Sequence, residues 1–178
     1  MIKHHRTYRG LQILFLLGML VSLFLTYEHF VPEASKFCTF GASFDCGIVN
    51  KSPYATLDGI SYLMTVDFGW NIPLINLTQY GPFVELLVSN AFLGFLTLVF
   101  LFFLLRAYRQ NKQCLWISAN KTLSWMRGIL IFGVLYGFYL FLIQHFLLKT
   151  YCILCIALDI ILIVSLIIVW RMYHDSSK

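Results

Sequence analysis

The chain has 178 residues, of which 60% are hydrophobic, 17% aromatic and 12% charged, and its formal net charge is +5. Soluble domains run at roughly 45–50% apolar and about 25% charged residues; this composition cannot coat a water-facing surface, and the mean hydropathy of +0.78 agrees. Disordered, collagenous, coiled-coil and ordinary cytosolic-enzyme classes are excluded, and with no basic–aromatic interleaving or glycine-rich phosphate loop the positive charge is no sign of nucleic-acid binding.

The N-terminus is basic (Lys3, Arg6, Arg9) and leads into residues 10–27, which hold no Asp, Glu, Lys or Arg. A helix needs about 20 apolar residues to cross the hydrocarbon layer, so a first span is predicted over about 10–30. The run is too long for the apolar part of a secretory signal, and residues 22–30 offer no small-residue cleavage site, so it reads as a retained anchor. A long loop, 31–85, follows. Glu28 precedes it, and it holds Glu33, Asp45, Asp58, Asp67 and Glu85 against Lys36 and Lys51. Cys38 and Cys46 lie here. The apolar patches 60–66 and 72–77, set between Gly, Pro and Asn breakers, read as one or two amphipathic helical pieces on the outer surface.

The second span is predicted over about 86–106, the third over about 127–148 and the fourth over about 150–171. The inner loop, 107–126, contains Cys114; in and around it lie Arg106, Arg109, Lys112, Lys121 and Arg127, without an acid. The fourth run opens with Cys152-Ile-Leu-Cys155 after a tight turn at 149–151, and Asp159 is its single acid. Unpaired backbone is untenable in lipid and the period-2 pattern of a barrel is absent. The expected fold is therefore an all-α integral membrane protein: one domain, 1–178, built as a four-transmembrane-helix bundle. Basic residues beside short loops mark the cytoplasmic side. Both termini are then cytoplasmic in a multi-pass inner-membrane protein that contacts anionic lipid. Cys38, Cys46, Cys152 and Cys155 share the oxidising periplasmic face, and Cys114 is a free cytosolic thiol.

A C-x-x-C pair at a helix start has unpaired N–H groups and a positive dipole end beside it, which favour thiolate over thiol. The spacing suits a dithiol–disulfide redox centre; the alternatives are a static disulfide or half of a zinc site completed by Cys38 and Cys46. Zinc fits less well, because C-x7-C is loose for a knuckle and Ile153 and Leu154 are apolar. No metal is expected.

Taken together these motifs resemble the vitamin K epoxide reductase family, including bacterial homologues that reoxidise periplasmic thiol oxidases. The resemblance rests on Cys38-Thr-Phe-Gly-Ala-Ser-Phe-Asp-Cys46, Gly-Ile-Val-Asn-Lys-Ser52-Pro-Tyr-Ala, Ser89-Asn90-Ala-Phe-Leu-Gly94 and Cys152-Ile-Leu-Cys155. The DsbB family also has four spans and two outward pairs, but its C-x-x-C lies in the first outer loop. The resemblance implies that Cys152 and Cys155 face a quinone, with Cys155 in contact with it, and that Cys38 and Cys46 shuttle electrons from a thioredoxin-like (DsbA-like) dithiol protein. That partner would be a separate protein, since no thioredoxin domain follows. The quinone would be ubiquinone or menaquinone. Ser52 matches the family's loop serine, with an N-cap before Pro53 as its other reading. Asn90 is expected to bind a quinone carbonyl or else to bond a neighbouring helix. Asp159 stands where some members have a tyrosine; it is a quinone-side proton donor or a packed carboxyl. Reduction of vitamin K epoxide, or a non-catalytic protein stapled by two disulfides, are the alternative functions.

Overall fold

The computed structural model describes residues 2–31, 38–39, 41, 43–69, 73–110 and 121–176. Among the described residues four long helices dominate: α1 (Ile2–Phe30), α5 (Asn90–Arg109), α6 (Thr122–Ile143) and α7 (Ile153–Ser176). Between α1 and α5 the described residues form three short α-helices: α2 (Cys46–Asn50), α3 (Asp58–Tyr62) and α4 (Pro82–Val88). The four long ones, with the turn that follows α6, are long and apolar enough to cross a membrane, over Thr7–Phe30, Asn90–Arg109, Thr122–Leu148 and Ile153–Asp175. The protein is a multi-pass helical membrane bundle.

Its packing follows from that solvent. α1 lies chiefly against α5 and α6 against α7, and further α1–α7 and α5–α6 contacts close the bundle. Leu11, Phe15, Leu98, Leu101, Leu104, Met126, Leu130 and Val169 form the core near one end. Residues of equal hydrophobicity, such as Leu20, Phe103, Phe132, Leu135 and Ile160, lie fully outside it. Helices apolar on every side are what lipid requires. Where α1 crosses α5 and α7 the helices meet at small residues: Gly18 abuts Leu98 and Ile161, and Gly94 faces Ser22. Close approach of this kind replaces the hydrophobic drive that lipid does not supply. At the basic end, Arg109 sits over the Tyr8 ring and Arg127 over Tyr173 and Trp170, at 5.0, 4.0 and 5.1 Å. These contacts tie α1 to α5 and α6 to α7 where the arginines cluster.

Two sequence expectations change. The second span starts at Asn90, not near 86, because Ser89 is extended (φ −62°, ψ 128°) and residues 86–88 belong to α4. Of the two apolar patches, the first is helical through α3 and the turn Leu63–Asp67, but residues 73–77 are not. There the backbone is held instead by side chains: the Asp58 carboxylate accepts from the Leu77 and Thr78 N–H groups (2.8 and 3.1 Å) and Ser61 bonds Ile75. The second helical piece is α4. Cys114, with residues 111–120, lies outside the described residues, as does residue 72 of the second patch.

Candidate functional site

At the end of the bundle opposite the arginines a second buried cluster gathers Leu25, Cys38, Cys46, Val49, Ala91 and Cys152. Three of its six members are sulfur residues from distant parts of the chain. Cys38 and Cys46 are joined as one disulfide, Cys152 and Cys155 as another.

Cys46 opens α2, whose N-cap is Asp45; the Asp45 carboxylate accepts from the Ile48 N–H at 3.1 Å. The helix is bolted to α1. Asn50 donates to the Leu25 carbonyl (2.6 Å), and His29 Nδ1 donates to the Asn50 carbonyl (2.6 Å) while Nε2 stands 3.1 Å from Glu85. A five-residue helix has no independent stability, so these long-range bonds are what hold Cys46 against the bundle.

Cys152 immediately precedes α7 and is fully buried. Its backbone N–H donates to the Gln144 side-chain carbonyl at 2.8 Å, and its sulfur accepts from the Cys155 N–H at 3.1 Å. The sulfur thus occupies the place of a capping oxygen at a helix N-terminus, where negative charge is favoured. The approach to it is set by the turn Gln144–Leu148, which ends α6, and by Lys149, left-handed at φ 52°. Gln144 is itself buried. In the sequence it is one polar residue at a helix end, and nothing there marks it as the partner of Cys152.

The two cysteine segments are joined directly. The Asp45 N–H donates to the Tyr151 carbonyl (3.1 Å) and the Tyr151 N–H to the Ser43 carbonyl (3.0 Å), while the Phe44 and Tyr151 rings lie 5.9 Å apart. Tyr151 also bonds His145 at 2.7 Å.

Cys155, unlike Cys152, faces a cavity of about 90 Å³ lined also by Ser52, Tyr54, Asn90, Gln144, Leu158 and Asp159. A larger groove of about 200 Å³ runs on between α5 and α6, with Leu93, Thr97, Ile129 and Phe132 in its walls. Asn90, Leu140, Leu158 and Asp159 border both. The arrangement is a small polar chamber at a sulfur, opening into an apolar trough. Asn90 donates to the Tyr54 carbonyl and accepts from the Tyr136 hydroxyl, each at 2.8 Å. Among the described residues one of its two N–H groups is left over. Asp159 rests against Gly137 so closely that a Cβ there would collide with the carboxyl.

Ser52 lines the chamber, but its hydroxyl donates to the Val49 carbonyl at 2.7 Å and makes no cap bond to the Pro53–Ala55 turn it precedes. That turn and α3 form a roof over Asn90. It is anchored by the Leu57 N–H on the Val88 carbonyl (3.0 Å) and by the Tyr54 hydroxyl on Asp67 (2.5 Å). Burial, then the Asp67 carboxylate, push the Tyr54 phenol above its ordinary range, so it stays a neutral donor.

Glu28 was visible in the sequence only as an acid at the end of the first span. It is fully buried and reaches the sulfur cluster: a carboxylate oxygen lies within 4.8 Å of both the Cys38 and the Cys46 sulfur. The three side chains have metal-ligand spacing, but sulfurs bonded to each other offer no thiolate to a metal. The residues nominated from sequence, Cys38, Cys46, Asn90, Cys152, Cys155 and Asp159, meet at this end of the bundle with Ser52 beside them.

Two comparisons bear on the site. A family model described as "Vitamin K epoxide reductase family" matches residues 11–170, a stretch that contains both disulfides, the chamber and most of each of the four spans. No curated protein matches the chain.

Proposed function

The chain belongs to the vitamin K epoxide reductase family of membrane oxidoreductases, which work between thiol–disulfide pairs and quinones or vitamin K, and from that premise we propose that it oxidises a separate thioredoxin-like (DsbA-like) dithiol protein and passes the electrons to a membrane quinone. The carrying observation is that Cys46 and Cys152 are buried in one cluster while Cys155, bonded to Cys152, opens onto the chamber. Charge distribution supports an inner-membrane orientation with both termini cytoplasmic and the two pairs periplasmic.

In this relay the donor's thiolate attacks Cys38 and Cys46 leaves. Cys46 then attacks Cys152 and Cys155 leaves, as a thiolate at the chamber wall. The donor's second thiolate attacks the donor–Cys38 bond, so the donor leaves as a disulfide and Cys38 is freed. Attack of Cys38 on Cys46 then re-forms the first disulfide and releases Cys152, whose departing charge meets the Cys155 N–H and the α7 N-terminus. The direction is reasonable on potentials, since a DsbA-like couple sits near roughly −120 mV and requires an acceptor such as the quinone pool. A bound quinone supplies a sink for two electrons and two protons. The residues present fit it: Asn90 has an N–H to offer a ring carbonyl, Asp159 sets a carboxyl that can carry a proton at the chamber, and the trough between α5 and α6 is apolar enough for an isoprenoid tail. Ser52 supports the loop from below.

The test is turnover by the detergent-purified full chain, with a reduced DsbA-type protein as donor and ubiquinone-1 or a short-chain menaquinone as acceptor. Donor oxidation that depends on quinone is expected. None with either quinone, from folded protein, sinks the relay and favours the epoxide substrate or a static double staple.

The trough side has its own prediction. Gly137→Ala puts a methyl group where the Asp159 carboxyl rests. The quinone KM is expected to rise about tenfold, a loss of ~1.4 kcal/mol, while thiol exchange between the cysteine pairs keeps its rate. Steady-state kinetics at varied quinone, beside a quinone-free exchange assay, separate the two.

A further inference from the structure

Glu28 is the one acid in the α1 span, and it is wholly buried. Among the described residues no donor reaches either of its carboxyl oxygens. A carboxylate so placed is costly unless it is paired, and an intramembrane acid with no hydrogen-bond partner is a candidate for proton exchange with a neighbouring group. The neighbours on the page are sulfurs: Cys38 and Cys46 lie within 4.8 Å of it, both buried, in a cluster otherwise made of Leu25, Val49, Ala91 and Cys152. The charged side chains that act on Glu28 are Asp45 and Lys51, which flank α2. From α7 the cluster receives Leu154 and Cys155, neither of them charged.

We propose that Glu28 is the proton-exchange partner of Cys46, giving a proton when Cys46 is expelled and taking one when Cys46 attacks. This inference deepens the relay described above and rests on it. When the donor thiolate attacks Cys38, the donor–Cys38 bond forms, the Cys38–Cys46 bond breaks, and the electron pair leaves on Cys46. A thiolate is poorly tolerated in so apolar a cluster; the Glu28 carboxylic acid protonates it and becomes a carboxylate. When Cys46 attacks Cys152, its proton returns to Glu28, the Cys46–Cys152 bond forms, and the pair from the broken Cys152–Cys155 bond leaves on Cys155. No external acid or oxidant enters either step. On this account Glu28 acts on the reacting sulfur itself, from within 4.8 Å of it.

The experiment isolates the first pair in full-length protein carrying Cys152→Ser and Cys155→Ser. Dithiothreitol opens Cys38–Cys46, maleimide quenches the reaction at timed intervals, and the rate per dithiothreitol thiolate is followed from pH 5.5 to 9. With Glu28 the profile is expected to carry an inflection. Glu28→Gln is expected to remove it and to slow opening at least tenfold at pH 6, whereas Glu28→Asp keeps the inflection. Superimposable profiles for the Glu28→Gln and parent proteins overturn the proposal. So does a change confined to melting temperature, or a folded Glu28→Asp protein with a flat profile; that last arm decides the matter if Glu28→Gln does not fold. Quinone takes no part in this assay, so a chain with all its cysteines that is folded but reduces no quinone would sink the relay and leave the Glu28 result, read on the first pair alone, intact.

Discussion

Cys155→Ala is expected to lower quinone reduction by about 10³-fold or more, equivalent to ~4 kcal/mol of barrier. Among the described residues Cys155 is the only cysteine that lines the chamber, and Cys152 is sealed in the neighbouring cluster. Without Cys155 the pair cannot close a disulfide, so no two-electron centre remains beside the chamber. The donor should still reduce Cys38–Cys46 at close to the parent rate, because that disulfide lies on the other side of Cys152 and depends on different elements. Stopped-flow quinone absorbance read beside donor oxidation makes the comparison. A variant that keeps quinone turnover within tenfold of the parent would show that the electrons leave by another route.

The second large effect is a trapped bond. In the double variant Cys38→Ser, Cys155→Ser both resolving sulfurs are gone, and oxidation is expected to link Cys46 to Cys152 in nearly every molecule. The reasons are spatial. Both sulfurs are buried in one cluster, and the backbone bonds between Tyr151 and the Ser43 and Asp45 strands of loop hold the segments side by side. At such proximity intramolecular exchange has a large effective concentration relative to any external thiol. Peptide mapping under non-reducing conditions reads the cross-link directly. If both sulfurs remain free thiols under an oxidant that closes Cys38–Cys46 in the parent, the pairs do not communicate, and two independent staples become the better account.

Much of this was legible in one dimension. Four charge-poor runs are enough to announce four helices, because the hydrocarbon layer imposes a length and forbids charge, and neither demand depends on tertiary contacts. The cysteines were legible because spacing and a helix start are local properties. Asn90 stood out as an amide at the edge of an apolar run. What escaped was whatever depends on chain segments meeting. The break at Ser89 follows from the bond between Leu57 and Val88, about thirty residues apart in sequence. Residues 73–77 look like a helix by hydropathy but spend their backbone groups on Asp58 and Ser61. Glu28 and Gln144 carry ordinary helix-end signals, and their importance comes only from facing Cys46 and Cys152, residues on other elements. The hydroxyl of Ser52 turned back to Val49 for the same reason: the nearer acceptor won over the cap.

The pair of amide bonds between Tyr151 and the stretch 43–45 also sets a timetable. Each such bond contributes a net ~1 kcal/mol, so the clasp between loop and helix is shallow, and thermal motion should leave it undone in about one to ten molecules per hundred. A donor protein therefore meets a shuttle loop that unfastens itself repeatedly, and no ligand has to pry it loose. Because both bonds are made by main chain, side-chain replacements at Ser43, Phe44 or Tyr151 can retune how tightly the clasp holds without deleting it. Amide hydrogen exchange at Asp45 and Tyr151 would count the openings, and their frequency sets a ceiling on how fast electrons can be delivered, however good the chemistry at the sulfurs.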